Sequence, residues 1–71
     1  MTTSEILTQQ ALALASAGAG GEDAVRELLT VSGERRVAVV RARQSLLAGT
    51  DDPTTLQAVE LLDAVLTRLP V

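Results

Sequence analysis

A helix has to stop at Gly49 and another has to start at Pro53, and this punctuation constrains the chain more than any other feature. Glycine just past one helix, followed by Asp-Pro, is the stop–start asymmetry of helix ends. Proline suits the first helical position, where its missing N–H costs nothing. Asp51 or Asp52 can cap the free N–H groups and face the positive end of the helix dipole. A connection this short implies antiparallel neighbours. The expected unit is an αα-hairpin over residues 34–69, with helices at Glu34–Ala48 and Pro53–Leu69, closed by Pro70.

The second of these helices carries the strongest apolar pattern. Val59, Leu62, Leu66 and Leu69 recur at spacings of three and four, and Leu56, Leu61 and Val65 widen the stripe to a broad face. On the first, Val37, Val40 and Leu47 line one face with Gln44, and Val39 and Leu46 lie beside them. Arg36 to Arg41 is rich enough in valine to suggest a strand. A lone strand with nothing to pair with is disfavoured in so short a chain, so helix is the reading here.

Two more helices are expected upstream. Thr2 with Glu5 fits a capping box opening a helix over 1–17, with Ile6, Leu7, Ala11, Leu14 and Ala15 as a narrow stripe. Its alanines favour helix but bury little, so it either packs weakly or orders on a partner. Gly18, Gly20 and Gly21 make 18–21 a linker. Residues 22–71 then form the main bundle. Glu22–Val31 is a helical run with Val25, Leu28 and Leu29 on one side. Thr30-Val31-Ser32-Gly33 permits either a break or one continuous helix. The fold class is therefore all-α: an antiparallel hairpin with one or two additional short helices.

At 71 residues the chain is one domain at most, and a domain of this size buries only about 60% of its unfolded surface. Small domains usually need a staple. Cysteine is absent, which excludes disulfides, and the absence of histidine as well argues against a zinc site. With no Phe, Tyr or Trp, the core is limited to Leu, Val, Ala and the like. Association with another protein, or with itself, is the expected supplement. The apolar supply slightly exceeds what two short helices can hide, so Leu56, Val59, Leu62, Leu66 and Leu69 are the candidate protein-binding residues.

The side chains argue against catalysis. No His, Cys, Lys or Tyr is present, which removes most general bases, nucleophiles and transition-metal ligands. Gly18 to Gly21 lacks the Gly-Lys-Ser/Thr of a phosphate-binding loop, and paired Asp51 and Asp52 read as a cap rather than a calcium site. No cofactor, metal or small-molecule substrate is expected. Arg35, Arg36, Arg41 and Arg43 form a possible basic patch. The net charge of −3 and the lack of lysine or an aromatic platform favour a solvated face over a nucleic-acid site. The amino end lacks the pattern of a signal peptide, and no apolar run approaches the ~20 residues that span a bilayer. A cytoplasmic location is expected.

The run Arg41-Ala42-Arg43-Gln44-Ser45-Leu46-Leu47-Ala48-Gly49, then Asp52-Pro53, Leu56-Gln57 and Leu61-Leu62-Asp63, resembles the small co-chaperones of bacterial type III secretion needle subunits. The resemblance covers about half of the chain. It implies a helical hairpin whose apolar face packs on a second chaperone and keeps an aggregation-prone needle subunit soluble. A lesser resemblance, carried by Arg36-Val37 through Arg41 to Leu62, is to the carboxy-terminal part of flagellar anti-sigma factors. That resemblance implies a regulatory role linked to transcription.

Overall fold

The computed structural model describes residues 2–49 and 52–69. Over these residues the chain forms four α-helices and no strand: α1 (Thr3–Ser16), α2 (Gly21–Ser32), α3 (Arg36–Leu47) and α4 (Pro53–Arg68). The expected roles of Thr50 and Asp51 in the turn, and of Pro70 as terminator, lie outside the described residues.

The starts of α1 and α4 each have a side-chain cap. Thr2 is extended and its Oγ1 accepts from the Glu5 backbone N–H at 3.2 Å, which caps α1. The Thr2 hydroxyl also donates to the Glu5 carboxylate at 3.3 Å, so the two side chains of the expected capping box do meet. Asp52 caps α4 by accepting from the Thr54 N–H at 3.0 Å, with Pro53 in the first helical position.

The ends of α1 and α2 are set by glycines. After Ala17, the Ala19 N–H reaches back to the Leu14 carbonyl and the Gly18 N–H to that of Ala15, the paired bonds of a Schellman stop. Gly18, at φ 73°, takes the left-handed conformation that this stop requires. Between α2 and α3 the chain breaks rather than continuing. Gly33 is left-handed (φ 59°), and so is Glu34 (φ 65°), which cannot belong to a right-handed helix. The expected start of the third helix at Glu34 is therefore corrected to Arg36.

All four helices share one core. Leu7, Ala11 and Ala15 of α1 meet Ala24, Val25 and Leu28 of α2, Ala38, Val39, Ala42 and Leu46 of α3, and Ala58, Val59, Leu61, Leu62 and Val65 of α4. The radius of gyration is 10.6 Å, close to the ~11 Å of a compact domain of this length. The helix at 1–17 thus packs on the rest, and residues 18–21 turn the chain back onto the same core.

Six of the sixteen buried apolar side chains among the described residues are alanine. Alanine lets backbones approach closely but contributes little area. The burial that stabilises the fold therefore comes mainly from the buried leucines and valines, of which Leu7, Leu28, Leu62, Val39 and Val65 are fully covered. Ion pairs add little. Arg43 with Asp63, and Arg68 with Glu22, are at least a third exposed, and such pairs contribute roughly 0–1 kcal/mol.

Candidate functional site

The broad face of α4 is core. Val59, Leu62 and Leu69 are buried, Leu62 completely, and so are the flanking Leu61 and Val65. Leu66 is half-buried against the same cluster. Leu56 is the one member of the expected binding set that stands in solvent, 47% exposed. Val59, Leu62 and Leu69 of the expected binding set are covered within the chain itself, because α1 and α2 supply a cover that a two-helix estimate leaves out.

Of the four large apolar side chains exposed among the described residues, two, Val37 and Leu47, lie on α3, with Ile6 on α1 and Leu56 on α4. The buried line of α3 is Ala38, Val39, Ala42 and Leu46. These positions face α1 and α4 because two alanines in one line allow both neighbours to come close. The line that carries the larger side chains points outward. Val37 is 65% exposed, Leu47 is 51% exposed, Val40 is half-buried and Gln44 is exposed. Val37, Val40 and Leu47 share the expected face with Gln44, at i, i+3, i+7 and i+10, and it is the outer face of the helix, with Val40 half-buried. It runs about 15 Å along the helix at 1.5 Å per residue.

The arginines divide into two groups. Arg43 reaches across to α4, where its Nε donates to the Asp63 carboxylate. Arg35, Arg36 and Arg41 stay together. With Thr2, Thr3 and Ser4 from the start of α1 they line an open recess of about 420 Å³, which Val37 and Ala38 also line. Among the described residues no carboxylate forms an ion pair with these three guanidinium groups. The expected patch of four is thus a patch of three plus a structural tie. The part played by Thr2 to Ser4 was not legible, because only the packing of α1 brings residues 2–4 beside 35–41.

A second recess, of about 430 Å³, lies between the start of α2 and the side of α4, where Gly20, Gly21 and Val25 face Gln57, Glu60 and Leu61. Arg68 donates to Glu22 at its edge. The hydrogen bond and the charge of that guanidinium hold the Glu22 carboxyl below its usual range.

Among the described residues, no group of three or more His, Cys, Asp or Glu stands close enough to hold a metal ion. No helix of the described residues is long and apolar enough to cross a membrane. In comparisons with known proteins, no family model, curated protein or solved structure matches the chain.

Proposed function

We propose that the chain is a non-catalytic protein-interaction module, an adaptor or co-chaperone acting in the cytoplasm and built on an antiparallel α3–α4 hairpin. The partner is held on the outward face of α3. The observation that carries this reading is the outward line of α3, where Val37 and Leu47 stand in solvent and Val40 is half-buried while Ala38 and Ala42 of the same helix are buried. Scattered exposed aliphatic residues are ordinary on a protein surface. An aligned set on one helix face is the pattern that helix-in-groove recognition uses. The resemblance to needle-subunit co-chaperones points to the same class of activity, with the binding surface moved from α4 to α3.

The test is a paired variant, Val37→Asp with Leu47→Asp. Neither residue is in the core, so helicity and melting should match those of the native chain. A partner that co-purifies with the native chain in fixed ratio should be lost from the variant. Equal retention by a folded variant contradicts the proposal.

A second reading rests on the three arginines around the recess at Thr2 to Ser4, which form no ion pair among the described residues. It makes the chain a regulatory protein that contacts nucleic acid. Binding to a DNA fragment that weakens steeply with salt, and that falls with Arg35→Gln and Arg41→Gln, would favour it over the first. A structural homo-oligomer is the third, and a mass twice that of the chain would favour it.

A further inference from the structure

We infer that the outward face of α3 is a two-heptad seam that receives an amphipathic helix with acidic flanks from a different protein, and not a second copy of this chain. The inference rests on the protein-binding reading above and adds the chemistry of the partner.

The register follows from the outward positions, of which Val37, Gln44 and Leu47 are exposed and Val40 half-buried. Val37 and Gln44 occupy the a sites, and Val40 and Leu47 the d sites, of two successive heptads. The flanking positions are then Arg36 and Arg43 at g and Arg41 and Ala48 at e. Three of the four flanking side chains are arginine and none is acidic. Arg43 is engaged by Asp63 of α4. Arg36 and Arg41 are exposed, one on each side of the stripe, with no ion pair to any described carboxylate.

This charge pattern discriminates between occupants. In a parallel pair of helices, g of one chain faces e of the other; in an antiparallel pair, g faces g and e faces e. A second copy would bring arginine against arginine in either direction. Like charges beside an apolar seam oppose association and select against the wrong partner. A helix with Glu or Asp at its own flanking positions would meet Arg36 and Arg41 with opposite charge and cover Val37, Val40 and Leu47 with its apolar line. Arg36, Val37 and Arg41 also line the recess beside Thr2 to Ser4, so the basic ground continues past the amino end of the seam. An acidic helix longer than the stripe would still find cations there. Of the nearby acids, Glu5 lies at the start of α1 and Glu34 outside α3 in the left-handed turn, and among the described residues neither forms an ion pair with Arg36 or Arg41.

The full chain can be titrated with synthetic helical peptides of about three heptads, long enough to hold some helix alone. All have Leu at a and d, and they differ only at e and g: Glu in one, Gln in another, Lys in a third. Each carries a single Trp outside the seam. The chain has no Trp, Tyr or Phe, so the fluorescence reports the peptide alone. The Glu peptide should bind about fivefold more tightly than the Gln peptide at low salt, the Lys peptide should not bind, and added salt should close the gap. Arg36→Gln combined with Arg41→Gln should equalise the Glu and Gln peptides without changing helicity.

Equal binding of Glu and Gln peptides by the native chain would overturn the acidic-partner inference and leave the protein-binding reading standing. A dimer by light scattering that dissociates in Val37→Asp would overturn it in favour of a second copy. A monomer that binds none of the peptides would overturn the inference and remove this face from the protein-binding reading as well.

Discussion

Val37 and Ala38 are neighbours in sequence on opposite sides of a boundary: Val37 is 65% exposed and Ala38 9%. The larger apolar residue faces water and the smaller one faces the core. A buried valine would gain more from burial than alanine does. The arrangement is stable because α3 is clamped between two neighbours, where small side chains allow close approach along its whole length. The cost is an aliphatic stripe left in solvent.

The contrast between an outward and a buried apolar position predicts very different costs for two substitutions. Val37→Asp should change stability by no more than about 0.5 kcal/mol, as for a surface site. Leu62→Ala, which empties a fully buried position, should cost about 2–5 kcal/mol and leave the domain largely unfolded at room temperature. Thermal melts followed by circular dichroism check both.

The turn between α2 and α3 stores removable strain. Glu34 is the one non-glycine residue with positive φ among the described residues, at 65°. It is held by the Ser32 hydroxyl, which is buried, donates to the Leu29 carbonyl at 2.8 Å and accepts from the Glu34 N–H at 3.3 Å. Glu34→Gly should stabilise by about 0.5–1 kcal/mol, raising the melting temperature by a few degrees. Gly33→Ala should destabilise by about 1 kcal/mol through its backbone alone, since an added Cβ would meet nothing within 4 Å.

Asp52 should matter for α4. Its carboxylate accepts from the Thr54 N–H, and Asp52→Ala should cost about 1 kcal/mol in a chemical or thermal melt. Asp52→Ser should recover most of the loss, because a hydroxyl can accept the same bond.

The Glu22–Arg68 pair predicts a small pH dependence. Arg68 lowers the Glu22 pKa in the folded state, so the folded protein binds this proton less readily than the unfolded chain. The contribution is present above the ordinary Glu pKa and is lost as the pH falls through the lowered folded value. The native chain should therefore melt slightly above Glu22→Gln at pH 7, and the difference should vanish in strong acid. High salt should shrink it at pH 7, because the pair is at the surface.

Much of the helical scaffold could be read from punctuation. Thr2 and Glu5, Gly18, Gly33, Asp52 and Pro53 mark helix ends, and each acts through bonds within a few residues of itself. The facing of α3 could not be read in this way. In the sequence Val37, Val40 and Leu47 share a face with Gln44, while the buried line is Ala38, Val39, Ala42 and Leu46, and apolar content alone does not separate the two. Only the closeness of α1 and α4, a property of the whole bundle, selects the second. The α4 stripe was legible as a face, but its destination depended on how much cover α1 provides. Leu7 and Ala11 are fully buried, so the cover is real.

The central claim is that the α3 stripe stands free in solution, open to a different protein. The chain has no cysteine, so single substitutions provide unambiguous probes. Val37→Cys, Val39→Cys, Ala42→Cys and Leu47→Cys can be labelled with a thiol reagent over a range of protein concentrations. Labelling at 37 and 47 should be fast and independent of concentration, while 39 and 42 should be strongly protected. Protection at 37 and 47 that grows with concentration, or fast labelling at 39 and 42 with 37 and 47 protected, would contradict the account.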